Sequence, residues 1–312
     1  MLADGTRATV DAEREPDLFW ALRGAGAGNF GVVTSFTFTT RPAAPLTVFY
    51  AVWPAEHAVG LVDRWQRWAP AAGDELTAEL LLVAVDLPEE PPIVRVFGNT
   101  LTGAGAAALA LAELTDAAGT RPARSGIRTP DPVAAARYLA GSARWTGDEV
   151  GLPCGPFPEP GLQATRSEFF DRPLPVAAVE ALADRIGRER TTGEYRELEL
   201  VPWGGAYRRT PATATAFVHR HPSFLIRHTV QTGPPVTAER RRAARRWLDQ
   251  SWRTVRPHGT GHVYQGYPDP CLPGWQTAYY GANLARLRDV KTAYDPDNLF
   301  AHAQSIPPHP ST

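Results

Sequence analysis

The sequence has little of several features that would point to common protein classes. Its 312 residues include two cysteines, Cys154 and Cys271, one methionine, and one lysine, Lys291. The two cysteines could form one disulfide, which is thin evidence for an oxidising compartment. No stretch of 18 apolar residues is present, so we expect no membrane-spanning helix. Residues 1–11 lack the basic and apolar regions of a signal peptide, and we therefore expect a cytoplasmic protein.

The chain also lacks an excess of charge of either sign. It has 32 basic and 33 acidic side chains, which leaves a net charge of -1. This balance argues against nucleic acid or an anionic membrane as the main partner. Five arginines between residues 239 and 246 spread around a predicted helix, and we interpret them as a solvated face. Hydrophobic residues make up 43% of the chain, which is enough for a sizeable core.

The first 45 residues predict a helix, a glycine-rich loop and a strand. Apolar residues follow Pro16, which suits the first turn of a helix, and the helix is expected to end at Gly24. Residues 24–31 form the glycine-rich loop. From Val32 to Thr40 apolar and polar side chains alternate, which is typical of a strand. The prolines that follow indicate a boundary near residue 42.

The rest of the chain predicts a mixture of strands and helices. Adjacent hairpins with helices on one face favour an α+β fold over a doubly wound α/β fold. Residues 121–173 are rich in proline and give no clear pattern. The predicted strands are 46–52, 80–85, 93–97, 197–201, 215–219 and 224–232, and the predicted helices are 61–68, 106–117, 176–188, 238–252 and 284–294.

Two features have several possible roles on residue chemistry alone. The glycine-rich loop follows a helix and opens a strand, whereas a Rossmann loop does the reverse. Its bare backbone could approach a planar ring or a phosphate, or it could be a turn without a ligand. Tyr279 and Tyr280 could supply a base only where the surroundings lower a pKa of about 10. They could equally be core residues.

The histidines suggest metal binding only weakly. His219 and His221 are spaced to share one face of a predicted strand, and His258 and His262 are four residues apart. A zinc site needs three or four converging ligands, and structural zinc sites usually include cysteine. Solvated or core histidines therefore remain the favoured interpretation. No zinc-protease, serine-hydrolase or nucleotide-binding P-loop motif is present.

Two ordered segments resemble the berberine-bridge-type FAD-linked oxidases, a PCMH-type FAD-binding family. The first is DLFWALRG at residues 17–24, followed by GNFGVVT at 28–34. The second is YYGANLARL at 279–287, followed by VK at 290–291, DPDNLF at 295–300 and QSI at 304–306. The segment YPDP at 267–270 fits the loop before it. The resemblance extends from Asp4 to the end of the chain.

The resemblance implies a fold and a domain organisation. Residues 1–42 would be the C-terminal part of an FAD-binding domain. Residues 43–262 would form an α+β substrate-binding domain, with an antiparallel sheet covered by helices. Residues 263–312 would return to the flavin domain as the berberine-bridge-type C-terminal segment.

The resemblance also implies site residues. The backbone from Gly28 to Val32 would contact FAD, and Asn283 would lie near the flavin ring. Tyr279 or Tyr280 would act as the catalytic base. The strands around Tyr207, His219 and Phe224 would line the substrate pocket. The implied cofactor-binding residues are Gly28, Asn29, Phe30, Gly31, Val32, Gly281 and Asn283, and the implied substrate-binding residues are Tyr207, His219 and Phe224.

The expected function follows from the resemblance. An FAD-linked oxidase would remove a hydride from an alcohol or amine of a small secondary metabolite or sugar-bearing compound, and oxygen would reoxidise the flavin. The family's first flavin subdomain, with its covalent attachment residues, has no counterpart in the sequence. We therefore expect a truncated chain, a fragment that pairs with a separate polypeptide, or a flavin-free ligand-binding or cofactor-independent derivative.

Overall fold

The computed structural model of the chain describes residues 1–139 and 161–310. The chain divides into two compact units. The first unit combines Met1–Arg41, Ala206–His221 and Gly261–Thr312, and the second combines Pro42–Gly205 and Pro222–Thr260. Each unit is therefore assembled from segments that are distant in sequence.

The second unit is built on an antiparallel sheet of seven strands among the residues described. The strand order is β4-β1-β3-β2-β6-β7-β5, so only β2 with β3 and β6 with β7 are neighbours both in the sheet and in sequence. Alternating strand residues such as Leu198 and Leu200 are fully buried in the apolar core. The strands are β1 Thr47–Pro54, β2 Leu76–Ala84, β3 Ile93–Thr100, β4 Arg124–Arg128, β5 Leu162–Phe170, β6 Glu194–Pro202 and β7 Phe224–Thr232.

Most helices of this unit pack against one face of this sheet and close the core, whereas α4 places Tyr138 on the other face. Helix α2 contacts α3 and α5, and α5 contacts α7, which lies on β5 and β7. The side chains of Leu61 and Trp65 on α2 are fully buried, as the spacing of the apolar residues predicts. Tyr138 packs with a smaller cluster that includes Val48 and Tyr50. The helices of this unit are α2 Ala58–Trp68, α3 Ala104–Ala118, α4 Pro132–Leu139, α5 Val176–Gly187 and α7 Ala238–Val255.

The first unit is mainly helix and loop. Helix α1 contacts α9, which brings the N-terminal and C-terminal segments together. Its last turn is distorted, because Arg23 and Gly24 have non-helical backbone angles. The helices of this unit are α1 Pro16–Ala25, α6 Ala206–Arg209, α8 Trp275–Tyr280 and α9 Leu284–Tyr294.

The α+β prediction is confirmed, but two predicted strands are wrong. Residues 32–40 form no ladder, because only Val32 exchanges backbone hydrogen bonds, and it does so with Met1. Residues 215–219 also form no strand, because Ala216 N donates to the backbone oxygen of Trp20 instead of to a neighbouring strand. Alternation of side chains predicts strand only where a second strand supplies hydrogen-bond partners.

The proline-rich region holds more regular structure than its sequence suggests. Strand β4, helix α4 and strand β5 all fall within residues 121–173. Strand β5 pairs along its whole length with β7, so long-range pairing overrides the weak local pattern. Residues 140–160, including Cys154, lie outside the described residues.

Candidate functional site

The glycine-rich loop of the first unit has a backbone that only glycine can adopt at two positions. Gly24 has φ 141° and Gly28 has φ 70°, which are left-handed values that other residues rarely take. A side chain at Gly24 would collide with the backbone of Phe217. A side chain at Gly28 would meet only the ring of His302, at 3.9 Å. The loop is therefore tightly held at Gly24 and open at Gly28.

This loop also carries backbone donors that have no acceptor in the part of the chain that the structure describes. Among the described residues, the N–H groups of Gly28, Phe30 and Gly31 have no hydrogen-bond acceptor. Buried backbone donors are almost always paired in folded proteins, and Phe30 is fully buried. Unpaired N–H groups on a loop with few side chains suit a ligand that offers carbonyl or phosphate oxygens. The residues present therefore fit a ring system that carries carbonyl oxygens and ring nitrogens as acceptors, such as a flavin.

Asn29 has a structural role within the loop. Its Nδ2 donates to the backbone oxygen of Ala25 at 2.8 Å, and its Oδ1 accepts from the N–H of Ile306 at 2.9 Å. The residue is buried. Because both ends of the amide are occupied, a contact from the loop to a cofactor would come from the backbone.

The segment after the loop exposes an unusual amount of apolar surface. Phe36 is 72% exposed and Phe38 is 76% exposed, and their rings stack with centroids 5.8 Å apart. Val32, which is among the predicted cofactor-binding residues, and Val33 are also exposed. Contiguous exposed apolar residues of this kind usually mark an interaction surface.

Tyr279 lies on α8 and is held by the loop before it. Its hydroxyl accepts a hydrogen bond from the N–H of Asp269 at 2.9 Å, and Gln304 Nε2 donates to the backbone oxygen of Asp269 at 2.8 Å. Burial raises the pKa of Tyr279 above its usual value, although the hydrogen bond from Asp269 opposes this. A general base needs a shift in the opposite direction.

Tyr280, Gly281 and Asn283 continue the predicted site. Burial also raises the pKa of Tyr280, and a hydrogen bond to the Asn29 side chain lowers it in part. Asn283 is buried, and its Nδ2 donates to the backbone oxygen of Ala212 at 3.0 Å. Gly281 begins the short 3-10 turn that leads into α9. All three residues lie in the first unit, together with the glycine-rich loop.

His219 lies in a loop of the first unit and not on a strand. Its Nε2 is 3.1 Å from Oε1 of Gln265, whose Nε2 donates to the backbone oxygen of Gly24 at 2.7 Å. Burial lowers the pKa of His219 to about 3, so the imidazole is neutral at physiological pH. His219 is thereby connected to the glycine-rich loop through one side chain.

The other two predicted substrate-binding residues lie in different environments. Tyr207 is on the short helix α6, is partly exposed, and has its ring 6.4 Å from that of Phe217. Phe224 begins β7 in the second unit and is fully buried. Its ring stacks on Phe170 at 5.0 Å and meets Trp65 edge-on at 5.9 Å. Phe224 is thus a core residue, and its position does not support a contact with substrate.

A cluster of acidic side chains on β2 and β6 was not predicted from the sequence. Glu197 and Glu199 alternate with core leucines and so share the other face of β6. Arg227 on β7 contacts both, with Nη2 3.0 Å from Glu197 and Nε 2.7 Å from Glu199. Tyr195 donates a hydrogen bond to Glu197 at 2.6 Å. The alternation in the segment ELEL was the available signal for this cluster.

The cluster can hold a proton near neutral pH. Burial raises the pKa of Glu199 to about 7, Arg227 opposes the shift, and the hydrogen bond with Glu79 adds to it. Burial raises the pKa of Glu79 and of Glu197 as well. Two carboxyl groups that share a hydrogen bond retain one proton between them. Glu199 and Glu79 therefore share a proton near neutral pH within the second unit.

Within residues 1–139 and 161–310, no group of three or more histidine, cysteine, aspartate or glutamate side chains is arranged to bind a metal ion. In the same residues, no helix has both the length and the apolarity needed to cross a bilayer.

Comparison with known proteins identifies relatives of this chain. The family model for berberine and berberine-like proteins matches residues 263–307. The chain is 29% identical over 300 residues to YgaK, an uncharacterised FAD-linked oxidoreductase of Bacillus subtilis. The aligned region covers 96% of this chain and 61% of YgaK. The chain is 30% identical over 327 residues to YvdP of the same organism, also an uncharacterised FAD-linked oxidoreductase, with 98% and 64% covered.

Solved structures show the same relationship in the fold. The BBE-like 1 protein of Physcomitrella patens superposes with a TM-score of 0.80 at 23% identity, over 99% of this chain and 64% of that protein. The resemblance indicated by the two motif segments is therefore confirmed, and the chain is berberine bridge enzyme-like in sequence and fold. It spans about three fifths of the length of the relatives it matches.

Proposed function

We propose that this chain is part or all of an FAD-linked oxidoreductase that acts as an oxidase on a small organic substrate. The observation that carries the proposal is the glycine-rich loop, whose N–H groups at Gly28, Phe30 and Gly31 have no acceptor among the described residues. The similarity to FAD-linked oxidoreductases over nearly the whole chain supports the choice of a flavin.

The first unit would supply the cofactor contacts. The backbone from Gly28 to Val32 would bind the flavin ring, with Gly281 and Asn283 beside it. When bound, FAD would accept a hydride from the substrate and return the electrons to oxygen. The exposed rings of Phe36 and Phe38 would pack against the remaining part of the flavin-binding domain, whether on the same or a separate polypeptide.

Tyr279 or Tyr280 is the proposed proton acceptor. Either residue would serve only if the complete site lowers a pKa that burial raises in this chain. Substitution of each residue separately, followed by the pH profile of turnover, would identify the base. Loss of the pH-dependent limb in only one variant assigns the role to that residue.

The substrate would be an alcohol or amine of a small secondary metabolite or a sugar-bearing compound. In the proposed division, residues 43–262 bind the substrate, and residues 1–42 and 263–312 bind the cofactor. Tyr207 is the best placed of the proposed substrate contacts, because its ring is partly exposed. His219 would act by holding Gln265, and through it the loop, rather than by direct contact.

The loop assignment can be tested with two glycine variants. Gly28 and Gly119 have nearly the same backbone conformation, φ 70° and φ 66°, and neither position is crowded. Gly28→Ala and Gly119→Ala therefore introduce similar backbone strain. We expect Gly28→Ala to weaken FAD binding in a titration followed by flavin fluorescence, and Gly119→Ala to leave it unchanged. Equal effects would exclude the loop as the flavin contact.

A further inference from the structure

The only lysine of the chain is buried at the centre of a polar network in the first unit. Lys291 lies on α9 and is 0% exposed. Its Nζ donates to the backbone oxygen of Asn29 at 2.7 Å, to Oδ2 of Asp295 at 2.5 Å, and to the backbone oxygen of Phe300 at 2.8 Å. All three protons of the ammonium group therefore have an acceptor.

Asp295 balances the charge and orders the segment that follows α9. Its Oδ1 accepts from the N–H of Leu299 at 2.7 Å, and its Oδ2 accepts from the N–H of Phe300 at 2.9 Å. Burial alone would raise the pKa of Asp295, but the hydrogen bonds from Lys291, Phe300 and Leu299 lower it below its usual value. The Asp295 carboxyl is therefore ionised beside Nζ of Lys291.

The contact with Asn29 has a consequence for the glycine-rich loop. The carbonyl of Asn29 and the N–H of Phe30 belong to one peptide group, and in a trans peptide they point in opposite directions. A carbonyl held by the Lys291 ammonium therefore turns the Phe30 N–H away from the network. That N–H is one of the donors with no acceptor among the described residues.

We propose that Lys291 is a positioning residue that aims the backbone N–H of Phe30 at the bound flavin. The Asn29 side chain bonds to Ala25 and Ile306 and so restrains the residue that carries this carbonyl. Lys291 itself touches no ligand. This inference rests on the proposed flavin site, but its structural part, the orientation of the Asn29–Phe30 peptide, can be tested without FAD.

The test compares Lys291→Met with Leu287→Ala. Both side chains are fully buried on α9, but Leu287 takes no part in the polar network, so Leu287→Ala is a control for general loosening of the helix. The first measurement is the chemical shift and hydrogen-exchange rate of the Phe30 amide by NMR, without flavin. The second is the dissociation constant for FAD in the two variants.

We expect Lys291→Met to shift the Phe30 amide resonance and to weaken FAD binding on the order of tenfold, the upper range for one hydrogen bond. Leu287→Ala should leave the Phe30 amide resonance at its wild-type position. An unchanged Phe30 resonance in Lys291→Met would overturn the proposal, whether or not FAD binds. A changed resonance with no FAD binding even by the wild type would count against the flavin site alone.

The single variant leaves Asp295 buried without its cation, and it could fail to fold for that reason. The double variant Lys291→Met/Asp295→Asn removes both charges, so no unpaired charge is left buried. In it, we expect the Phe30 resonance to move in the same direction as in the single variant. Retention of the wild-type resonance in the double variant would also overturn the proposal.

Discussion

Gln265 donates a hydrogen bond from Nε2 to the backbone oxygen of Gly24 at 2.7 Å, across 241 residues of sequence. Its Oε1 is 3.1 Å from Nε2 of His219. One amide therefore joins the start of the glycine-rich loop to a buried neutral imidazole. The proposed cofactor loop is therefore held at Gly24 by Gln265 and at Asn29 by Lys291.

Replacement of Gln265 by leucine removes both contacts at similar side-chain size. We expect Gln265→Leu to lower the free energy of unfolding by about 2 to 3 kcal/mol, because the His219 nitrogen and the Gly24 oxygen lose this partner. Gln250→Leu, at an exposed position on α7, is the control and should change the free energy of unfolding by less than about 0.5 kcal/mol. Urea denaturation measures this free energy for both variants. Equal small effects would mean that the Gln265 bridge is not formed.

The acidic cluster predicts a pH dependence of stability. The pKa of Glu199 rises from its usual 4.5 to about 7 on folding. A raised pKa stabilises the folded state at low pH, and that contribution disappears as pH rises from about 4.5 through 7. Relative to Glu199→Gln, the wild type should therefore lose on the order of 2 to 3 kcal/mol across this range. Parallel stability curves for the two proteins would show that Glu199 titrates normally.

His219 predicts the opposite slope. Its pKa falls from 6.5 to about 3 on folding because the ring is buried. A lowered histidine pKa favours the folded state above about pH 6.5, and this contribution is lost as the pH falls toward 3. His219→Gln should reduce the loss of stability on acidification by about 3 kcal/mol at pH 4. His221 is exposed, so His221→Gln is the control. An equal reduction of the acid-induced loss of stability in that variant would contradict the assignment.

Phe224 and Tyr207 test the difference between a core residue and a surface residue. Phe224→Ala removes a fully buried ring and should cost about 3 to 5 kcal/mol of stability. Tyr207→Ala removes a partly exposed ring and should cost much less. Thermal denaturation compares the two. A small loss for Phe224→Ala would mean that its ring does not pack between Phe170 and Trp65.

Much of the fold could be predicted from local patterns. The spacing of Leu61 and Trp65 predicts α2, and Gly119 correctly predicts the end of α3. Residues 32–40 show the limit of this reasoning, since their alternation is that of a strand but they form no ladder. Whether a segment becomes a strand depends on partners elsewhere in the chain, which the segment itself does not encode.

The site could be predicted only in part, for the same reason. The motifs located Tyr279, Asn283 and the loop from Gly28, and the structure groups these in one unit. The pairing of Lys291 with Asn29, and of Glu199 with Glu79, joins residues far apart in sequence. Burial, which determines the pKa of each of these side chains, follows from packing and cannot be read from spacing.

The most direct test of the proposed function is the visible absorption spectrum of the purified chain, recorded with and without added FAD. Because the glycine-rich loop carries N–H groups that have no acceptor within residues 1–139 and 161–310, we expect added FAD to bind. Its visible band should shift, and the flavin should remain with the protein through gel filtration. A spectrum equal to the sum of free FAD and colourless protein would contradict the proposal and favour a flavin-free function.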